Sequence, residues 1–315
     1  MIVAITGGSG FIGQRLVECC IRRGYQVRCL TRKTTLTNLC VEYFVGDLTD
    51  PNVELSGFVN NIDVLYHCAG EIHNDDLMMA LHVNGTERLI DAINKEVACS
   101  GKSIHWIQLS SVGAYGPPLQ AAGEERIVTE TSALNPNGLY EETKLQSDEL
   151  VVKASQNCNY TYTIVRPSIV FGKAMPNQSL RQLVTMVKKG MFFYVGKENA
   201  IAPYVHIDDV VDLLICCSEN AHAKNEVFNI SNDCMLRDLI NAIADYSSVR
   251  RPFIRLPEKI VRIIINILNK FANTPLTQNR IDALVSRTRY PAVKIEKHLG
   301  FLPKRKPQES IREIL

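Results

Sequence analysis

The chain opens with an apolar run of strand length, residues 2–6, that feeds into TGGSGFIG at 6–13 and then into a segment of helical period. No other feature restricts the fold as much, because a glycine turn in this context brings a strand, a helix and a bound anion into close contact. Gly7 permits the tight turn, Gly10 lets the backbone approach a pyrophosphate, and Gly13 lets the helix press against the sheet. Amides at the start of the helix then face the phosphates. Strand-length and helical segments go on alternating to about residue 166. Strands are expected at 2–6, 26–30, 41–45, 64–68, 103–109 and 162–166, and helices after Gly10, around 77–96 and from about 138 to 154. Gly24 stands where a left-handed cap would close the first helix. This pattern predicts βαβ units and a parallel sheet.

Composition excludes several function classes. With 315 residues, 46% hydrophobic and 22% charged, the chain can bury one large core or two ordinary ones. A net charge of +2 gives no nucleic-acid surface, and the short run Lys304, Arg305, Lys306 reads as a solvated patch. No charged segment followed by an apolar stretch opens the chain, and no apolar run reaches spanning length, so a cytoplasmic protein is expected. The 10 cysteines form no CxxC pair and read as reduced core filler; the 7 histidines show no metal-ligand spacing, and no metal is expected.

Further motifs follow in order. Tyr140 and Lys144, in YEETK, are one helical turn apart and project from one face, which suits proton transfer beside a bound ligand. SSVGAYG precedes them at 110–116, and RPSIVFG at 166–172 and YVHIDDVV at 204–211 come after. Together with the glycine loop these motifs resemble the extended short-chain dehydrogenase/reductases, the group labelled NAD-dependent epimerase/dehydratase. The resemblance covers nearly the whole chain.

It implies an α/β fold, a Rossmann-type doubly wound parallel sheet with a smaller, mainly helical substrate-binding lobe. The cofactor domain would take 1–168 plus about 204–231, and the substrate lobe 169–203 and 232–315. It also implies a cofactor site at Gly7, Ser9, Gly10, Phe11, Ile12 and Gly13, with Asp47 and Leu48 at the adenine edge. Cys68, Ala69 and Gly70 would leave room for ribose, Asn84 would support the site, and Pro167 would line it. Asp47 could equally be a turn residue. An NAD-dependent member would carry an acid at the end of the second strand, whereas this chain has Thr31, Arg32 and Lys33. Arg32 suits a 2′-phosphate, so NADP(H) is expected, with NAD(H) as the alternative if these cations are only solvated loop charges. Ser111, Tyr140 and Lys144 would be the catalytic residues: Ser111 binding the substrate oxygen, Tyr140 exchanging the proton, and Lys144 holding ribose while lowering the Tyr140 pKa.

Two departures bear on the reaction. Val112 and Gly113 stand where dehydratases of this group carry Asp and Glu, which disfavours dehydration. Ile169 stands where nucleotide-sugar enzymes commonly carry an asparagine, and it cannot make that hydrogen bond. The resemblance still points first to 4-epimerisation or 4-keto reduction of a nucleotide-sugar substrate. A hydrophobic ketone or alcohol is the second reading and a catalytically silent nucleotide sensor the third; a homodimer is allowed.

In the second half, 204–211 and 227–230 are expected to return to the sheet. Asp208 and Asp209 read as a helix cap and domain contact rather than paired catalytic carboxylates. The segment 258–271 places Ile260, Ile264, Ile267 and Phe271 on one face and Arg262, Asn266 and Lys270 on another, with Ile263 and Ile265 widening the apolar side. Such a helix packs on its own protein, or serves as a lid, a subunit contact or a membrane contact.

Overall fold

The computed structural model describes residues 1–33, 38–117, 124–158, 160–176, 178–268 and 277–315. Seven strands form one sheet: β1 (Ile2–Thr6), β2 (Gln26–Thr31), β3 (Val41–Val45), β4 (Val64–His67), β5 (Ile104–Leu109), β6 (Tyr160–Pro167) and β7 (Glu226–Ile230). Their order is β7-β6-β5-β4-β1-β2-β3, and every pairing is parallel. The central strands are apolar on both faces because helices cover both. β4 and β5 are buried throughout.

On one face lie α1 (Phe11–Arg22) and, later in the chain, Ile207–Glu219, packed over Val3, Ile5 and Val27. On the other lie α2 (Gly85–Ser100) and α3 (Leu139–Ser155), packed over Ala4, Leu65 and Trp106. Chain order reverses between β1 and β4, which opens a crevice at their carboxyl ends, the place where such sheets hold ligands. Thr6 pairs with His67 of β4 and with Leu30 of β2, so the glycine loop and the ends of β2 and β4 meet there. Gly24 (φ +74°) follows α1 as expected.

The expected helix at 77–96 is instead a short helix, Asp75–Met78, a π-helical turn, Met79–Asn84, and then α2. Thr86 Oγ1 donates to the His82 carbonyl (2.6 Å) inside this distortion. Only part of the second-half return joins the sheet. β7 pairs with β6, whereas Tyr204–His206 pairs with Ile169–Phe171 in a separate two-stranded unit. The cause is a change of partner beside Pro167: Ser168 N–H still donates to Ile230 of β7, but Ile169 N–H donates to Pro203. β7 has its outer edge covered, since Glu130 accepts from Asn229 N–H (2.8 Å) and Lys294 donates to the Val227 carbonyl (2.8 Å).

The other elements build around apolar clusters of their own. α4 (Gln178–Lys188) and α6 (Leu236–Tyr246) enclose one with Phe171, Phe192 and Ile311; α5 denotes the intervening Ile207–Glu219. α7 (Glu258–Leu268) and α8 (Gln278–Val285) enclose the other, with Val195 and Ile281. The buried face of α7 differs from expectation: Val261 and Ile265 are inside, while Ile260, Ile263, Ile264 and Ile267 are 46–59% exposed. Arg262 sets this rotation, bound by Glu258 and by Gln278 and Asp282 of α8. Lys270 and Phe271 lie outside the described residues. Among the described residues no helix is long and apolar enough to cross a membrane. Asp208 and Asp209 are structural: Asp208 pairs with Arg15 of α1 (2.6 Å), and Asp209 accepts from Lys304 and Arg305 amides, while the cap of α5 is His206.

Three buried histidines tie neighbouring elements together: His67 joins β4 to β1 and α2, His82 joins the π-helical turn to α3, and His105 joins β5 to β6. His67 bonds Thr6 (2.6 Å) and Thr86 (3.1 Å), His82 bonds Thr143 (2.8 Å), and His105 bonds Thr161 (2.8 Å) and Thr163 (3.1 Å). Burial holds all three below the ordinary 6.5, His82 at about 3 and His105 at about 4, with Lys144 adding to the effect at His67 and His82. The unfolded chain therefore takes up protons below about 6.5 while the folded chain does not, so stability is full above that pH and is lost as pH falls toward 4 and 3. Each histidine contributes up to about 1.4 kcal/mol per pH unit in that window. Urea unfolding from pH 7 to 5 is expected to show this steep loss and His105→Gln a shallower one; an unchanged slope would contradict the assignment.

Candidate active site

The glycine loop is built as a cradle. Gly7 has φ +69°, and a Cβ there would stand 2.7 Å from the backbone of Cys68 and Ala69. At Gly13 a Cβ would be 2.1 Å from the Gly7 carbonyl oxygen, so α1 touches the loop with no side chain between them. The first hydrogen bond of α1 runs from Gln14 N–H to the Gly10 carbonyl (2.8 Å), and Gly10 has no side chain to cap the helix. The amides of Phe11, Ile12 and Gly13 thus have no intrahelical acceptor and suit a dinucleotide diphosphate. Beside them a cavity of about 400 Å³ is lined by Ser9, Gln14, Thr31, Lys33, Asn38 and Tyr43. Arg32 is exposed next to this cavity, and Lys33, not Arg32, is in its wall.

The remaining expected cofactor residues divide. Cys68, Ala69 and Gly70 follow β4, which stops at His67, and lie against the glycine loop, with Ala69 N–H donating to Thr6 Oγ1 (3.2 Å) and burial pushing the Cys68 thiol up to about 12. Asp47 commits Oδ1 to its own turn, accepting from Thr49 N–H (2.9 Å) and Thr49 Oγ1 (2.8 Å). Leu48 is 4% exposed and packs into the core beneath Gly85. Asn84 is exposed at the end of the π-helical turn, and Pro167 is buried at the end of β6.

Ser111 follows β5, its Oγ accepting from Gly113 N–H (3.0 Å) to start the turn Val112–Tyr115. Tyr140 and Lys144 lie in the first turns of α3, which begins after Gly138 (φ +122°). The two segments meet at Gly113, where a Cβ would be 3.3 Å from Ser111 Oγ and 2.7 Å from Cγ of Glu141, the neighbour of Tyr140. The Tyr140 ring is half-buried and lies edge-on to His82 at 5.7 Å. Lys144 is 4% exposed. Electrostatics here differ from the sequence expectation. Burial, then Glu141 and Asp148, push the phenol up to about 12, and Lys144 does not offset them. Burial also lowers Lys144, with Asp148 and Cys68 acting in the opposite sense.

The model of the NAD dependent epimerase/dehydratase family matches residues 3–231. The chain belongs to that family. It is 26% identical over 241 residues to the mouse protein named sterol-4-alpha-carboxylate 3-dehydrogenase, decarboxylating, an alignment covering 73% of this chain and 63% of the mouse protein. The chain thus spans less than two thirds of that relative's length. It is 24% identical over 304 residues to the 4-hydroxy-2-methyl-3-oxo-4-farnesyl-3,4-dihydroquinoline-1-oxide ketoreductase of Stigmatella aurantiaca, covering 94% of this chain and 85% of that one. Among solved structures, UDP-glucuronic acid 4-epimerase from Bacillus cereus in complex with NAD superposes with a TM-score of 0.75 at 18% identity, covering 100% of this chain and 97% of that one. That likeness is one of fold.

In this epimerase/dehydratase family member a buried ion pair underlies α3. Asp148, one turn beyond Lys144, accepts from Arg166 of β6 (3.1 Å) and from Ser110 Oγ (2.7 Å). Arg166 also donates to Tyr115 Oη (3.2 Å), which donates to Asn229 (2.9 Å). Burial pushes Asp148 up, while Arg166, Ser110 and Lys144 pull against it. Among the described residues Asp148 Oδ1 has no hydrogen-bond partner. Sequence reasoning missed Asp148; its spacing from Lys144 in YEETKLQSD was the available signal. It also missed Glu141, whose carboxylate sits in a notch between Gly113 and Gly138 at the third helical position, where a glutamate commonly reaches back to the helix start.

Proposed function

We propose that the protein is an NADP(H)-dependent oxidoreductase that interconverts a ketone and a secondary alcohol at Ser111, Tyr140 and Lys144, working in the reductive direction. The observation that carries this reading is geometric: the turn that starts at Ser111 and the first turns of the helix that carries Tyr140 and Lys144 meet at Gly113. A tyrosine phenol there, raised further by burial, is protonated at neutral pH and can serve as the acid. When bound, the nicotinamide supplies or accepts the hydride. Ser111 Oγ hydrogen-bonds the substrate oxygen, Tyr140 donates its proton to that oxygen as the alcohol forms, and Lys144 would hold the cofactor ribose. The relatives named for sterol and farnesylated quinoline substrates support a ketone on a ring. In this reading the cofactor domain is 1–168 with about 204–231, and 169–203 with 232–315 holds the substrate.

The cofactor preference rests on Thr31, Arg32 and Lys33 at the end of β2, a segment without an acid; Glu18, also in the wall of the adjoining cavity, is paired with Arg15 (2.8 Å). The double variant Arg32→Asp/Lys33→Asp is expected to weaken NADPH binding by about 10- to 100-fold, the value of one or two charge-assisted hydrogen bonds, and NADH binding far less. Fluorescence titration with both cofactors tests this; an equal loss for the two would refute it. The second reading is a nucleotide-sugar 4-epimerase, favoured by the description of the matched family. An epimerase returns its hydride to the substrate, so NADPH would not fall with turnover, whereas a reductase consumes it stoichiometrically. Tight NADPH binding with no turnover of either substrate class would indicate the silent sensor.

A further inference from the structure

Beyond the carboxyl end of β6 lies an apolar chamber of about 210 Å³ between α4 and α8. Its walls are Leu183 and Met186 of α4, Phe192, Phe193, Ile201 and Leu284 of α8. Ile169 is in its wall, three positions past Arg166, whose guanidinium holds Asp148 of α3. The segment 166–169 thus links the chamber wall to the helix that carries Tyr140 and Lys144, and the chamber follows the carboxyl end of a central strand, where a parallel sheet presents its ligands.

The walls offer little to a polar guest. Ile201 N–H already donates to the Ser286 carbonyl (2.8 Å), and the Ala200 carbonyl already accepts from Leu236 N–H (2.9 Å). Ile201 and Ala202 are further paired with Met235 and Cys234. The polar side chains of the lining are Ser179, Gln182, Tyr204, Arg280 and Ser286; Ser179 and Arg280 have partners within the protein and Ser286 Oγ is engaged with Thr288, so the Gln182 amide and the Tyr204 hydroxyl are the polar groups left to meet a guest in a wall that is otherwise mostly apolar. A nucleobase or a diphosphate placed here would exchange its hydration for apolar contacts, at a cost of several hydrogen bonds. A hydrocarbon group would gain by the same transfer.

We infer that the chamber takes the apolar hydrocarbon portion of the substrate, and that the reacting ketone is carried on a ring bearing an alkyl or prenyl-like group that enters between α4 and α8. This inference rests on the reductase reading of Ser111, Tyr140 and Lys144, and it selects a lipophilic substrate over a nucleotide-activated one.

Binding and turnover are read separately so that the two readings fail separately. The full chain with NADP⁺ is titrated by calorimetry with 4-alkylcyclohexanones from methyl to hexyl, and NADPH oxidation is followed with the same series. Kd is expected to fall about three- to fourfold per added methylene until the chamber is filled. Ala283→Trp, on the exposed side of α8 at the chamber wall, is expected to flatten that series. A wild-type series that is flat, or UDP binding tighter than any of the ketones and lost in Ala283→Trp, would overturn the chamber assignment. Chain-length-dependent binding without NADPH oxidation would leave the chamber assignment standing and overturn the reductase reading.

Discussion

Tyr140→Phe is expected to lower the rate of ketone reduction by about 10²- to 10⁴-fold, the usual contribution of a positioned general acid, while the Kd for NADPH stays within about twofold. The substitution removes one oxygen and keeps the ring that lies edge-on to His82, so α3 and its packing on the Ser111 turn are retained. Stopped-flow reduction and fluorescence titration separate the two quantities, and a variant that retains turnover would end the assignment. The same phenol fixes a pH signature. Because its pKa is raised to about 12, the acid form is fully present at neutral pH and is lost only near that value, so reduction should be flat from pH 7 to 9. Alcohol oxidation needs the deprotonated form and should rise about tenfold per pH unit over the same range.

Asp148→Ala is expected to cost about 3–5 kcal/mol of stability, the penalty for stranding one member of a buried ion pair. The two side chains are 2% and 5% exposed, so water cannot replace the lost carboxylate, and Arg166 would keep only Tyr115 as a partner. The Ser110 hydroxyl would also lose its acceptor. Replacing both charges, as Asp148→Ala/Arg166→Met, should recover most of the loss, because an apolar pair needs no compensation in a buried site. Urea unfolding measures both variants. A single-variant loss below about 1 kcal/mol would mean that the pair is solvated in solution. The pair also supports function, since Asp148 helps to keep the buried Lys144 charged.

Much of this architecture was legible in the sequence, and the rest was hidden for physical reasons. The six expected strands through β6 all form, within two residues at each end, because short, mostly apolar or β-branched segments alternate with longer segments of helical period, even where a strand carries polar residues, as β5 does at His105 and Gln108. The glycine loop was readable because Gly7 and Gly13 have no alternative at their contact distances. Tyr204–His206 was placed wrongly because an apolar triplet carries no record of which strand it will join; the hydrogen bond from Ile169 to Pro203 decides that. The face of α7 was misjudged because isoleucines surround that helix, and Arg262, reaching across to Asp282, sets its rotation. Asp148, on α3, was overlooked because its partner Arg166 lies in β6, and the pairing of a helix residue with a strand residue is not written in their spacing. The apolar chamber was wholly out of reach, since α4 and α8 lie about a hundred positions apart and neither has a composition that announces a pocket.

The covered edge of β7 also bears on assembly. A bare edge strand invites another chain to lengthen the sheet. Here the Asn229 amide is occupied by Glu130 and the Val227 carbonyl by Lys294, which is itself bound to Glu226 (2.7 Å). A second molecule approaching this side meets charged side chains where it would need free backbone groups. Two copies of this chain therefore cannot share one continuous sheet through β7, and any self-association there has to be made by side chains across helices, not by backbone ladders.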